Sequence, residues 1–454
     1  MRPTTADVVI CGAGIAGIAT AYYLAVRYGI TNIVLIDERP PLSLTSDKST
    51  ECYRNWWPGP DAAMVRLMNR SIDLLEELIV ESNQRFRLEQ RGYVYATANT
   101  EQISELCHAA EQAAEYGAGS VRLHQGLSHS SSYDPTARHL TGADVVLDSS
   151  LIRTHFPYLS DQTVALVHAR RCGWFSAQQL GMHLLERARE CGVRLINGRV
   201  TGVEVHDNAI HSVQTNNNEM SCITTNTFVN AAGPLLREVG HMICVDLPVF
   251  CERHLKLSFN DYLGVVPRDA PMLIWNDPLV LRWSEDEHHV LAESEESRGL
   301  LELLPPGVHT RPEGGSGSST MLMLWAYDPT PIPPILPLQI DPYFPDVVLR
   351  GMVSMIPGLQ AYVDHPPKPY IDGGYYIKTR ENRPLVGSLP VEGAYVVGAL
   401  SGFGIMAACG TGELVASSIV DMPMPEYAAA FNVSRYAEPA YQAKSAEWDT
   451  VGQL

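Results

Sequence analysis

Residues 7–11 (DVVIC) form a short apolar run that stops at a glycine, the pattern of a parallel strand buried on both faces. Residues 15–28 then carry apolar side chains at helical spacing, and 33–36 (IVLI) repeat the buried-strand pattern up to Asp37. Together they predict a βαβ unit with a tight first turn. A second helix is predicted over 62–80, where Met64, Leu67, Met68, Ile72, Leu75 and Ile79 share one side. From about 85 to 160 the pattern changes to mixed strands and polar loops. A helix returns at 177–192, followed by strands at 193–196 and 227–231 (TFVNA). Between 250 and 365, antiparallel strands are predicted at 272–276, 279–283, 289–293 and 320–327. The same stretch holds a Gly/Ser-rich loop at 309–319 and a proline-bounded helix at about 343–356. The chain closes on a buried strand at 394–400 (AYVVGAL) and a helix at 405–420.

Nucleotide-type segments therefore alternate with mixed-sheet segments, and two interleaved domains explain this better than domains in series. The expected class is α/β, with a Rossmann-type domain interleaved with a mixed or antiparallel-sheet domain. Residues 1–83, 161–245 and 370–430 are assigned to the first, 84–160 and 246–369 to the second, and 431–454 to a C-terminal tail.

With 454 residues, the chain can bury a large core. Its formal net charge of −18 argues against a nucleic-acid or anionic-membrane partner, since both need clustered cations. The nine cysteines are dispersed, with no C-x-x-C pair, which fits a reducing compartment better than a disulfide framework or a zinc site. His288 and His289 beside Glu285, Asp286 and Glu287 read as a solvated turn, so no metal is expected. No apolar run is long enough to span a bilayer, and residues 1–6 lead directly into a strand, so a cytoplasmic location is expected.

The first turn carries candidate chemistry. Gly12-Ala13-Gly14-Ile15-Ala16-Gly17 lies after a strand and opens a helix, where a dinucleotide phosphate loop must lie. Gly12 permits the tight turn, Gly14 lets the backbone approach a pyrophosphate, and Gly17 lets the helix pack closely on its strand. The helix N-terminus offers unpaired N–H groups to the phosphates. Asp37, at the end of the second strand, is placed to accept from ribose hydroxyls and to repel a 2′-phosphate. These features alone allow NAD or FAD.

Three further segments decide between them. Val229-Asn230-Ala231-Ala232-Gly233-Pro234, 379–387 (TRENRPLVG) and 398–404 (GALSGFG) resemble motifs of the D-amino-acid oxidase superfamily, in its sarcosine oxidase, glycine oxidase and dimethylglycine dehydrogenase-like branch. The similarity runs in order over most of the chain before about 430. It implies FAD, with Ile15, Ala16, Glu38, Ser49, Thr50, Val200, Ala231, Ala232 and Gly233 adding to the cofactor site. The turn Gly402-Phe403-Gly404-Ile405 would direct a helix N-terminus at the negative charge of reduced flavin.

Departures from the family pattern shape the remaining expectations. Relatives attach flavin covalently through a cysteine that falls at Gly374 here, or a histidine in a loop that here has none, so FAD is expected to be non-covalent. Relatives hold a substrate carboxylate with an arginine or lysine at positions that are Tyr376 and Met406 here. Tyr376, Arg54 and Lys378 are therefore the candidate substrate-site residues, with Arg380 nearby. Tyr53, Trp56 and Trp57 could line the pocket, or the tryptophan pair could pack a domain interface. His254 and Lys256 could reach the flavin face, a solvated lysine being the plainer reading of Lys256.

The resemblance implies oxidation of the C–N bond of a small amine or amino acid: an N-methyl amino acid, a proline-like secondary amine or a D-amino acid. Hydride transfer to flavin N5 gives an imine, and no strong side-chain base is required. The electrons pass on to O2 or an electron carrier. A 2-hydroxyacid oxidase of the same superfamily and a non-catalytic flavoprotein assembly factor are the alternatives.

Overall fold

The computed structural model describes residues 4–126, 133–315, 317–445 and 448. The elements that position the site are, in chain order, β1 (Val8–Cys11), α1 (Ile15–Tyr22), β2 (Ile33–Asp37), β3 (Cys52–Arg54), β4 (Phe228–Asn230), β5 (Phe250–Asn260), β6 (His309–Pro312), β7 (Tyr370–Lys378), β8 (Ala394–Gly398) and α2 (Gly404–Ile419).

A six-stranded sheet runs in the order Arg194–Asn197, β2, β1, β4, β8, Leu385–Ser388. Its first five strands are parallel and the last is antiparallel. The continuous apolar runs of β1 and β2 fit this position because both faces are covered. Val8 and Ile10 join one core cluster with α1 and α2, while Val9 and Cys11 join the cluster on the opposite face.

A nine-stranded, mostly antiparallel sheet begins β7, β5, Thr320–Leu324, β6, Met272–Trp275 and continues through Tyr93–Thr97 to Val121–His124. Its own core packs Val94, Leu273 and Met323 against the helix Phe344–Met355. The short β3 pairs with Cys172–Trp174, which pairs in turn with Glu89–Gln90. The α/β fold with a second, mixed sheet is the class that the hydrophobic pattern predicts.

Several local expectations are corrected. Residues 289–293 are not a strand: they end the helix Glu285–Glu293, started by Ser284 and Glu287 in a reciprocal capping box. His288 and His289 consequently sit on that helix rather than in a turn. Residues 279–283 form no strand; Leu279 makes one isolated bridge to Leu304 before the helix begins. Residues 309–312, expected in a loop, are β6, paired with Thr320–Leu324. Ala165–Ala169 and β7 lie in the nine-stranded sheet, although 161–245 and 370–430 were assigned to the nucleotide-type half. Among the described residues, no helix is long and apolar enough to cross a membrane.

Candidate active site

The turn from β1 to α1 is built without room for side chains. Gly12 has φ +110°, and a Cβ there would lie 2.3 Å from the carbonyl oxygen of Ala231. A Cβ on Gly17 would lie 1.9 Å from the carbonyl oxygen of Gly12. Either substitution must move backbone. Asp37 closes the turn by accepting from the amide of Ala13 at 2.7 Å and from that of Arg39 at 2.9 Å. Burial raises the Asp37 carboxyl above its ordinary value, with these two amides opposing the shift. Ser46, which the motif reading missed, accepts from the amide of Ile15 at 3.0 Å. Glu38 is exposed, and its carbonyl accepts from the side chain of Asn197.

A narrow cavity of about 90 Å³ opens from this turn. Gly14, Ile15 and Ala16 line it at the start of α1, and Gly402, Gly404 and Ile405 line it at the start of α2. Ser49, Ala231 and Gly233 also line it. Two helix N-termini thus converge on one space, which suits an anionic ligand. The donor set and the side-chain-free turn fit the dinucleotide part of FAD.

The turn between β8 and α2 has a structure that glycine content alone does not describe. Positive φ falls on Ala399 (52°) and Ser401 (45°) rather than on its glycines. The Ser401 amide donates to the carbonyl of Ile377 at 2.8 Å, which ties the turn to β7. Gly402 is needed for another reason: a Cβ there would lie 2.6 Å from the ring of Tyr376. Such local strain is tolerated where surrounding structure fixes it, and β7 holds this turn through Ile377 and Tyr376.

A second cavity, about 430 Å³ and mostly apolar, meets the first at Tyr376 and Gly402, which line both. Thr50, Arg54 and Lys378 line this outer cavity rather than the inner one. The pairing of β5 with β7 sets Glu252 opposite Tyr376, His254 opposite Gly374 and Phe250 opposite Lys378. With a side-chain period of two, Phe250, Glu252 and His254 share one face with Tyr376 and Lys378. That face is the cavity wall. Glu252, which sequence reasoning missed, accepts from Lys378 Nζ at 3.1 Å and from His254 Nε2 at 3.1 Å.

Burial works to raise the Glu252 carboxyl, but the His254 hydrogen bond and the Lys378 charge outweigh it and hold it below its ordinary value. Burial lowers His254, with Glu252 partly offsetting the shift. The His254 ring stacks on Tyr376 with centroids 3.9 Å apart and planes 14° apart. Burial pushes the Tyr376 phenol up to about 12.

Arg54, in β3, is 3% exposed; its Nη1 donates to the Tyr95 hydroxyl at 3.0 Å and its guanidinium sits 4.4 Å from the Trp57 ring. Arg380 is exposed at the cavity rim. Lys256 is not a solvated strand lysine: its ammonium donates to the Ser49 carbonyl at 3.1 Å, and burial lowers its pKa.

Other candidates fall away from both cavities. Phe403 packs edge-on against Trp57, and Trp56 lies over Tyr95, so the tryptophans are packing residues. Tyr53 packs against Phe175. Val200 is buried at the start of a strand paired with 209–215 in a separate four-stranded sheet. Ala232 turns the chain, its carbonyl accepting from the amide of Leu235.

Comparison with known proteins agrees with this geometry. A family model described as FAD dependent oxidoreductase (DAO) matches residues 7–418. The beta subunit of sarcosine oxidase from Rhizobium meliloti (strain 1021) is 27% identical over 208 residues, covering 44% of this chain and 45% of that protein. Mitochondrial dimethylglycine dehydrogenase from Rattus norvegicus is 25% identical over 272 residues, covering 59% of this chain and 28% of that protein. The matched stretches thus span less than half the length of these relatives. The structure of L-proline dehydrogenase from P. horikoshii superposes with a TM-score of 0.72 at 20% identity, over 98% of this chain and all of that one. Glycine oxidase from Geobacillus kaustophilus gives 0.72 at 15% identity, over 95% of this chain and 99% of that one. At these identities the likeness shows the fold. The chain belongs to the DAO family of FAD dependent oxidoreductases, and FAD is its cofactor.

Proposed function

We propose that this protein oxidises the C–N bond of a small amine or amino acid, with an N-alkyl amino acid or a proline-like secondary amine as the favoured substrate class. The observation that carries this reading is the junction of the two cavities at Tyr376 and Gly402. The inner cavity has the features of a flavin and pyrophosphate site. The outer one has the size and mostly apolar lining of a small-molecule pocket, with a few convergent polar groups. The relatives named for sarcosine, dimethylglycine, L-proline and glycine support the same class.

In this reading the Gly12–Gly17 turn holds the pyrophosphate and Asp37 the adenosine ribose. Thr50, although on the outer cavity, borders the flavin through the same loop as Ser49. When bound, FAD supplies a hydride acceptor for the carbon next to nitrogen. The chain's own part is to hold that C–H bond in line, exclude water and keep the amine uncharged. Tyr376 forms the wall between cofactor and substrate, Arg54 is the candidate carboxylate partner, and Lys378 acts through Glu252. O2 or an electron carrier takes the electrons onward.

The test is an anaerobic flavin-bleaching screen over secondary amines, amino acids and hydroxy acids. Bleaching by an N-alkyl amino acid or proline-like amine is expected. Bleaching by hydroxy acids alone would assign the chemistry to C–O oxidation instead. No bleaching by any of the panel would overturn the enzymatic reading.

A further inference from the structure

We infer that His254 is the proton acceptor for the substrate ammonium, held in its working tautomer by the buried pair Glu252–Lys378 and by the ring of Tyr376. This rests on the reading of the outer cavity as an amine site.

The argument begins with Glu252. It is 4% exposed and receives two charged or polar donors, Lys378 Nζ and His254 Nε2, each at 3.1 Å. An ionised carboxylate only accepts, so His254 must carry its proton on Nε2. Nδ1 is then the bare nitrogen of a neutral ring, and no described residue bonds it. His254 lines the outer cavity, stacked on the residue that divides it from the inner one. On this inference, its basic nitrogen lies beside the space that a substrate amine must occupy.

The chemistry gives such a group a task separate from C–H cleavage, which needs no strong side-chain base. A small aliphatic amine enters largely as ammonium near neutral pH, and its nitrogen lone pair must be available before the adjacent C–H bond is broken. In the proposed step the N–H bond breaks and its electron pair stays on the amine nitrogen. The Nδ1 lone pair takes the proton, giving an imidazolium whose Nε2–H remains on Glu252. No oxidant enters this step. Lys378 balances Glu252 while His254 is neutral, so the carboxylate is not left as a lone buried charge. Orientation of a base by a carboxylate on its far nitrogen is the logic of many catalytic histidines. The same side-chain face of β5 also carries Lys256, and the other ionisable groups around the cavity are Cys52, Arg54, Tyr93, His309 and Arg380.

Two measurements test the inference on flavin-loaded protein. The first is the 15N signature of His254 in histidine-labelled protein, assigned by its loss in His254→Asn. A neutral ring protonated at Nε2 is expected. In the double variant Glu252→Gln, Lys378→Met, which leaves no unpaired charge, that preference should be lost or inverted. A wild-type ring protonated at Nδ1 overturns the proposal.

The second is the pH profile of stopped-flow flavin reduction by an amine that bleaches the wild type. Replacing a general base typically costs ~10²–10⁴-fold. His254→Asn should slow reduction at pH 7 at least about 100-fold and move the acidic limb at least about one unit up, toward the amine's own pKa. A loss under about tenfold with an unmoved limb overturns the assignment while leaving amine oxidation intact. A wild-type flavin that no amine bleaches takes down the parent reading, and this inference with it.

Discussion

Arg311, in β6, grips the carbonyl oxygen of Thr50 with both Nε and Nη2, at 3.0 and 2.6 Å, across 261 residues of sequence. Its guanidinium is buried at 1% exposure, lies 5.1 Å from the Trp174 ring and contacts Glu313 at 2.5 Å. Lys256 fastens the neighbouring carbonyl of Ser49 from β5. The nine-stranded sheet thus fixes the 49–54 segment, which contributes Ser49 to the inner cavity and Arg54 to the outer one. Arg311→Met would leave the Thr50 carbonyl with only the weak Cys52 thiol donor, and Glu313 with only the Gly314 amide. The Glu313 side chain is 33% exposed, so the cost is nearer the roughly 1–3 kcal/mol of an under-satisfied buried group than that of breaking a fully buried pair. A large fall in the urea midpoint and reduced FAD occupancy are expected. A change under about 1 kcal/mol would show that the segment is held by other contacts.

The β1–α1 turn can be tested without any substrate. Gly17→Ala would drive a Cβ into the Gly12 carbonyl, so loss of the folded protein is expected. At Gly14 a Cβ would meet only the Ser46 hydroxyl, at 3.4 Å, so Gly14→Val should fold but block the pyrophosphate. Asp37→Ala removes the acceptor of the Ala13 amide and the proposed ribose contact. Both folded variants should be purified without flavin absorbance near ~450 nm. Full flavin retention in both would overturn the cofactor assignment of the turn.

Acid stability should be limited by buried histidines. Burial lowers His309 to about 4 and His168 to about 3. Both folded values lie below the unfolded value, so the unfolded chain binds protons that the folded chain refuses. Stability therefore falls as pH drops below about 6.5, by up to ~1.4 kcal/mol per unit for each histidine, until the folded value is reached. Urea unfolding between pH 6 and 4.5 should show this slope, and His168→Asn should remove a large part of it. An unchanged slope would place the acid lability elsewhere.

FAD should leave on acid or heat denaturation. Gly374, where relatives carry an attachment cysteine, faces Thr45, whose Cα would lie 3.2 Å from a Cβ at that position. Cys52 lines the outer cavity, but burial raises its thiol above the ordinary value and its Sγ donates to the Thr50 carbonyl at 3.2 Å. A poorly ionised, bonded thiol is a weak nucleophile. A fluorescent band that stays with the chain on a denaturing gel would refute non-covalent binding and point to Cys52.

The phosphate turn was legible because the residues it needs stand close together in sequence, although the Ala231 carbonyl that crowds Gly12 does not. Gly12, Gly14, Gly17 and Asp37 lie within one βαβ unit, and periodicity identifies the flanking elements. The substrate wall was not, because Glu252 in β5 and Tyr376 in β7 are 124 residues apart in sequence, and only the register of the two strands brings them together. Alternation along 250–256 was available as a signal, with Glu252, His254 and Lys256 on one face. The partner strand was not. Lys378 looked like an uncommitted cation for the same reason: its neutralising Glu252 is 126 residues away. Ser284 and Glu287 were a different matter. Their capping spacing is visible in the sequence, and recognising it would have turned the strand expected at 289–293 into a helix.

The ion pair at Lys378 changes which residue should hold a substrate carboxylate. A lysine already bonded to Glu252 cannot turn its charge to a ligand without leaving that carboxylate buried and unbalanced. Arg380 is exposed at the rim, where solvent screens its charge. Arg54 is inside the cavity, with its plane fixed over Trp57 and Nη1 on Tyr95. A planar guanidinium so fixed loses little further freedom on binding a carboxylate. Removing a charge-assisted hydrogen bond of this kind should cost roughly 1.5–3 kcal/mol, about ten- to a hundred-fold in kcat/KM. Arg54→Met is preferred to alanine because it retains volume against Trp57. Stopped-flow flavin reduction should fall by that factor for a carboxylated amine and change little for its decarboxylated analogue. Tyr376→Phe should cost less than Arg54→Met if its phenol acts by packing against Gly402 and His254. Equal slowing of both substrates by Arg54→Met would show that the arginine shapes the cavity rather than binding the carboxylate. The substrate would then carry its charge toward Arg380, or have no carboxylate.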